Sequence, residues 1–291
     1  MTTDARGIDA QTVRDAVARA LDEDRARHDI TTLATVDPTQ RARGGFLLKE
    51  AGVVCGMDLV KAAFTQLSSE LAVDVIVPDG SVAESGQLLA EVSGPLAPML
   101  SAERIALNFL QRLSGIATIT EEYVREAAEG GSADVLDTRK TTPGMRELER
   151  YAVRIGGARN HRNTLEDGVL IKDNHIAAGV LRGVDIAALV QEARWRVPHT
   201  LRVEVEVDTG EQARTAVAAG ADIVLLDNMK PELMASIVQA HQQGVLFEAS
   251  GGVTLDTIRA VAASGVHLIS VGALTHSAPS LDISLEIEAS R

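Results

Sequence analysis

Two hydrophobic periods share this chain and change over near residue 100. Residues 10 to 27 carry Val13, Val17, Ala20 and Leu21 at helical spacing with charges opposite, which predicts an amphipathic helix that ends before Asp29-Ile30-Thr31-Thr32. Then the period shortens. FLLKEAGVVCG, LAVDVIVPDG and QLLAEVSGP are β-like runs punctuated by glycine and proline, with one helix near Met57 to Leu67 between them. This predicts a small α+β domain. Ser101 can cap a following helix whose first turn holds Glu103, and Ala106, Phe109, Leu110 and Leu113 form its apolar stripe. On spacing alone, Arg104 is a solvated charge on the opposite face.

From about residue 133 a repeat sets in: short apolar strand, polar residues, helix. The strand candidates are ADVLDT, ARNHR, GVLIK, LRVEVEV, ADIVLLD, VLFEAS and HLISVG. Seven strands alternating with helices predict an α/β fold with a parallel barrel, and no eighth strand is convincing. Pro143 suits the first turn of a helix that Gly156-Gly157 stops, and Thr254 caps one that Gly265 closes. The expected domains are 1–115 (α+β), 116–275 (barrel) and 276–291, a C-terminal segment packing back on the first domain.

Composition narrows the function. Of 291 residues, 45% are hydrophobic and only 2% aromatic, so the core is built from aliphatic side chains. A net charge of −13 with few aromatics argues against nucleic-acid binding. The start of the chain lacks the basic and apolar runs of a secretory signal and no stretch is long enough to span a bilayer, so a cytoplasmic protein is expected. Cys55, the single cysteine, sits in an apolar run and reads as a small buried filler. No HxxxH or HExxH spacing occurs, so a zinc site is not expected.

Against that acidic background, positive charge gathers between Asp137 and Ile176. Arg139, Lys140, Arg146, Arg150, Arg154, Arg159, Arg162 and Lys172 outnumber the acids there. Parallel barrels place their sites at the C-terminal strand ends. Those ends carry Thr138-Arg139-Lys140, His161-Arg162, Lys172 to His175, Glu206, Asp227 and Glu248 to Ser250. An anionic small molecule is the ligand class this implies. In LRVEVEV the valines alternate with Arg202, Glu204 and Glu206, which turns both glutamates toward the barrel interior. Glu204 reads as a core ion-pair partner, while Glu206 and Asp227 could meet a divalent metal or ribose hydroxyls. Ser250-Gly251-Gly252, with Gly272 after the last strand, offers backbone amides for a phosphate. His161 and His175 could each bind a carboxylate, orient a neighbour or act as acid or base. Arg146, Arg150 and Arg154 fall on the intervening helix as surface or interface charges.

DTRKTTPGMRELERYAVRIGGARNHRNTLEDGVLIKDNHI resembles the signature of the quinolinate phosphoribosyltransferases, and the likeness extends to ERIALNFLQRLSGIAT, EVEVDTGEQARTAVAAGADIVLLDN, EASGGV and VGALTHSAPSLDISLEI. The resemblance implies an N-terminal α+β domain with an open seven-stranded α/β barrel of the type II phosphoribosyltransferase kind. It implies transfer of phosphoribosyl from phosphoribosyl pyrophosphate to quinolinate with decarboxylation, in NAD biosynthesis, with Mg²⁺. Arg139, Arg162 and Lys172 would hold the quinolinate carboxylates, with Thr138, His161 and Arg104 beside them. Lys140 would face pyrophosphate, Glu206 and Asp227 the metal or ribose, and Ser250, Gly251, Gly252 and Gly272 the 5′-phosphate; Lys140, Glu206 and Asp227 are the catalytic candidates. A homodimer or higher even oligomer is also implied, with Arg104 contributed by the partner. Ala158 and Asn163-Thr164 depart from the family pattern without removing a charged group. The competing readings are a related phosphoribosyltransferase that takes another acid such as nicotinate, and a non-catalytic binder of phosphorylated metabolites.

Overall fold

A computed structural model describes residues 7–241 and 244–289. Its strands are β1 Arg41–Leu48, β2 Gly52–Val53, β3 Ala72–Val75, β4 Val82–Ala83, β5 Leu88–Pro95, β6 Asp134–Leu136, β7 Val169–Ile171, β8 Val203–Val207, β9 Ile223–Asp227, β10 Leu246–Ser250, β11 Leu268–Ser270 and β12 Ile283–Ala289. They fall into two compact units that single cuts in the chain do not separate: Thr142–Gly157 and the stretch from Ser277 cluster with the chain up to Glu121, and the second unit holds Glu122–Thr141 and Ala158–His276.

The first unit is α+β. Its main sheet runs β12-β1-β5-β3 with antiparallel neighbours, and β12 pairs with β1 from Leu48–Ile283 to Ala42–Ala289. Alternate β1 residues Ala42, Phe46 and Leu48 are buried, and Phe46 meets Phe64 of the helix Met57–Leu67 edge to face at 5.9 Å. Asp9 caps the helix Ala10–Glu23, which buries Val13, Ala16, Val17 and Leu21. Cys55 is buried. Asp79 accepts the amides of Gly56 and Met57 at the start of the next helix and the Tyr151 hydroxyl at 2.7 Å. Burial raises the Asp79 carboxyl above its ordinary value despite those donors.

Two helix starts differ from the sequence expectation. The helix expected to begin at Ser101 begins at Leu96 and runs 35 residues to Gly130. Pro98 lies within its first turn, where a missing amide costs no intrahelical bond, and Ser101 Oγ turns back to Ala97 O and Asp29 at 3.1 Å. The helix after DTRK starts at Arg146 rather than at Pro143. The fully buried Glu149 carboxylate reaches back to Thr142 N at 3.0 Å and Thr142 Oγ1 at 2.8 Å, leaving Pro143 and Gly144 in a turn. Gly156 and Gly157 end this helix as expected. Arg150, expected as a surface or interface charge, is 2% exposed, because this helix is buried all round from Leu148 to Val153 rather than along one face. Arg146 and Arg154 are half-buried.

The second unit is an α/β barrel whose parallel strands run β6-β11-β10-β9-β8-β7. Helices Asp173–Leu181, Ile186–Arg196, Gly210–Ala218, Pro231–Ala240 and Leu255–Ala263 alternate with the strands, with Asp185, Thr209 and Thr254 at their caps. The seven-strand expectation is corrected to six among the described residues. ARNHR meets β6 through a single parallel bridge, Leu136 to Arg159. Beyond it the Asp137 carboxylate takes the next donors, His161 N–H at 2.8 Å and Asn160 Nδ2 at 2.7 Å, so a side chain replaces the ladder. With β6 and β7 at the two ends of the order, the barrel stays open.

In the first unit, Arg112 Nη2 lies 2.8 Å from Glu149 and its Nη1 donates to Ala278 O at 2.8 Å. Arg112→Met withdraws the cation from a buried carboxylate and should lower unfolding free energy by about 3 kcal/mol or more. Glu149→Gln, which keeps volume and drops the charge, should cost less. Urea midpoints decide; a smaller loss for Arg112→Met than for Glu149→Gln would refute the assignment.

Candidate active site

Each barrel strand hands its last residues to one mouth. After β6 the chain turns outward at Asp137, whose carboxylate is fully buried and engaged with Asn160 and His161. That leaves Thr138, Arg139 and Lys140 at the rim. Thr138 Oγ1 accepts the Lys140 amide at 3.1 Å, and the Lys140 carbonyl accepts Thr275 Oγ1 at 2.8 Å. Gly272 keeps this corner open: a Cβ there would come to 3.1 Å from both Lys140 Cδ and His276 Nε2.

Arg162 donates to Gly168 O at 3.1 Å. Burial lowers its pKa, and the nearby Arg139 guanidinium lowers it further. Lys172, at the end of β7, pairs with Glu206 at 3.0 Å. His175 does not reach into this pairing: its Nδ1 accepts the Lys172 amide at 2.9 Å and caps its own helix. Asn163 and Thr164, the departures after NHR, close a turn with their amides on Asp167 at 2.8 Å.

On the far side, Asp227 accepts Asn228 Nδ2 at 2.7 Å. Asn228 itself is left-handed, with φ 53°, and its amide donates to Ser250 O at 2.9 Å. Gly251 and Gly252 follow with φ of 90° and 61°. A Cβ on Gly251 would meet Asn228 Oδ1 at 2.3 Å, so glycine is required by conformation and by space.

One cavity of about 560 Å³ is lined by Thr138, Arg139, Lys140, His161, Arg162, Lys172, Glu206, Asp227, Ser250, Gly251 and Gly252. Gly272 borders Lys140 beside it. Arg104 belongs to the first unit, exposed on the helix Leu96–Gly130.

Below the rim, His161 Nε2 faces Glu204 at 3.3 Å and Glu248 at 3.5 Å, and Ser270 Oγ donates to Glu248. Glu204 is thus a core partner, as read from its strand, but the group it meets is the His161 ring. Burial works against a charged His161, and the hydrogen bonds and charges of the two glutamates outweigh it, raising its pKa to about 10. The Arg162 amide donates to Nδ1 at 2.7 Å, a contact that needs a lone pair there and opposes full protonation. Burial also raises the Glu204 carboxyl.

Asp137, Asn228, Glu248 and Ser270 were not singled out from the sequence for what they do. Glu248 had the signal already used for Glu204, a charge in a strand otherwise apolar. The left-handed Asn228 had none.

Sequence models of the quinolinate phosphoribosyl transferase N-terminal and C-terminal domains match residues 29–114 and 116–286. A probable nicotinate-nucleotide pyrophosphorylase (carboxylating) of Bacillus subtilis strain 168 is 41% identical over 268 residues, covering 92% of this chain and 91% of its own. The human nicotinate-nucleotide pyrophosphorylase (carboxylating) is 43% identical over 245 residues, covering 83% and 80%. The solved structure of the nicotinate-nucleotide pyrophosphorylase from Francisella tularensis superposes with a TM-score of 0.91 at 35% identity, covering 99% of this chain and all of that one. With both domains matched and the signature residues gathered at one mouth, the chain belongs to the quinolinate phosphoribosyltransferase family.

Proposed function

We infer that the chain transfers the phosphoribosyl group of phosphoribosyl pyrophosphate to quinolinate with loss of CO₂, giving nicotinate mononucleotide and pyrophosphate for NAD synthesis. The observation that carries this is the gathering of Arg139, Lys140, Arg162 and Lys172 with Glu206 and Asp227 around one cavity. So many cations suit a dicarboxylate and a polyphosphate together, and carboxylates among them suit a centre that becomes positive.

Arg139, Arg162 and Lys172 hold the two quinolinate carboxylates, with Thr138 and His161 alongside; guanidinium groups offer two parallel donors to each carboxylate. Lys140 receives the pyrophosphate. The amides of Ser250, Gly251, Gly252 and Gly272 seat the 5′-phosphate. The pyridine nitrogen attacks the anomeric carbon as the carbon–oxygen bond to pyrophosphate breaks. Positive character on the ribose ring is stabilised by Glu206 and Asp227. The bond to the carboxylate beside the ring nitrogen then breaks, its electrons pass to the pyridinium, CO₂ leaves and a proton takes its place.

Glu206 and Asp227 fit Mg²⁺, which takes hard oxygen ligands from one or two carboxylates and completes its shell with water and substrate phosphate. Bound there, the ion would neutralise charge on the departing pyrophosphate.

The protein acts as a homodimer or higher even oligomer in the cytoplasm, and the exposed Arg104 of one copy completes the mouth of another. Among the described residues, no helix is long and apolar enough to cross a membrane.

Purified protein given quinolinate, phosphoribosyl pyrophosphate and Mg²⁺ should release CO₂ and form nicotinate mononucleotide, and a chelator should stop it. Turnover with nicotinate alone, or binding without turnover, would replace this reading. Arg139→Ala should lower kcat/KM for quinolinate at least about thirty-fold, the loss expected on truncating one side of a desolvated charge pair. Its Tm should stay within about 2 °C of the parent, as for a residue whose partner is the ligand; a large fall in Tm would assign Arg139 to the structure instead. Mixing inactive Arg104→Ala and Arg139→Ala proteins should restore part of the activity once subunits exchange, and no recovery despite exchange would reject the shared site.

A further inference from the structure

The interior of a parallel barrel is ordinarily filled with branched apolar side chains in layers. Here His161, Glu204 and Glu248 occupy it, their ligand atoms within 4.8 Å of one another. Glu204 is 4% and Glu248 1% exposed, and one oxygen of each, Glu204 Oε1 and Glu248 Oε2, has no hydrogen-bond partner. Buried carboxylates left this short of donors destabilise a fold. What they hold therefore needs a reason beyond packing.

Both present an oxygen to His161 Nε2, and Ser270 Oγ braces Glu248 from β11. The opposite ring nitrogen, Nδ1, accepts the Arg162 amide at 2.7 Å. The ring is thus clamped between the inner glutamates and the backbone of Arg162. A neutral imidazole whose Nδ1 accepts a hydrogen bond carries its proton on Nε2, so this nitrogen donates to carboxylate and is not open to a metal ion. Residues 158–162 meet β6 through a parallel bridge at Arg159, and the Asp137 carboxylate takes the Asn160 side chain and the His161 amide. The ring then links the Arg162 amide to the glutamates of strands β8 and β10.

We propose that Glu204 and Glu248 are positioning residues for the acid-binding wall: holding His161 from inside the barrel, they fix the Arg162 backbone and the direction of its guanidinium. The inference rests on the reading of Arg162 as a quinolinate ligand. Glu204 is not among the residues lining the 560 Å³ cavity, whereas Glu248 and Ser270 border it beside His161 and Arg162. Acting through His161, both glutamates bear on quinolinate rather than on phosphoribosyl pyrophosphate.

Glu248→Gln and Glu204→Gln keep volume and remove the charge that grips Nε2. Each should raise KM for quinolinate by about ten-fold while kcat and KM for phosphoribosyl pyrophosphate stay within about two-fold, the pattern of lost uniform binding. Ser270→Ala, which loosens Glu248 without removing it, should give a smaller rise of the same kind and serves where a glutamine variant does not fold. Side-chain ¹⁵N spectra should show His161 protonated on Nε2 in the parent and a changed ring pattern in Glu248→Gln. Unchanged quinolinate KM in folded variants, or both KM values rising together, would overturn the proposal. If the parent does not turn over quinolinate, the functional reading fails by itself; an unaltered His161 spectrum in Glu248→Gln would still reject the clamp.

Discussion

Like charges crowd the mouth of this barrel, and the rest of the second unit is arranged to tolerate them. Burial lowers the pKa of Arg162, and the neighbouring Arg139 guanidinium lowers it further. Opposing charge is supplied from below and beside them: Glu206 meets Lys172 at 3.0 Å, and Glu204 and Glu248 lie behind His161 and Arg162. In a medium less polarisable than water, cations brought this close without such partners would drive the chain apart. The acids of LRVEVEV and VLFEAS are therefore part of what makes a cationic pocket possible inside an acidic protein.

An open barrel follows from the same arrangement. Closing the ladder at ARNHR would direct its amides to backbone acceptors, but the Asp137 carboxylate takes the His161 amide and the Asn160 side chain. The segment bends away after Arg159, and the interior keeps room for polar side chains that a filled barrel would exclude.

Much of this was legible in the sequence. Alternation of apolar strand and helix marked the barrel, and charges at successive strand ends marked its mouth, because both follow from local periodicity and a known strand polarity. Thr254 and Gly265 bound their helix as read. What the sequence did not yield depends on distant partners. Arg150 read as a surface or interface charge on its helix, yet it is buried. ARNHR has strand composition, but its pairing is decided by a carboxylate over twenty residues earlier. Glu149 could not be seen to pull Thr142 out of a helix without knowing that Arg112 lies beside it.

The left-handed Asn228 has a wider consequence. Its side chain holds Asp227, its amide holds Ser250, and its carboxamide fills the space a side chain on Gly251 would need. The carboxylate and the glycine turn thus belong to one stiff piece that cannot shift in parts. Lys140 and Lys172, by contrast, reach the same cavity on long stems with several rotatable bonds. One wall of the mouth is thus set by backbone geometry and the other by side-chain rotamers.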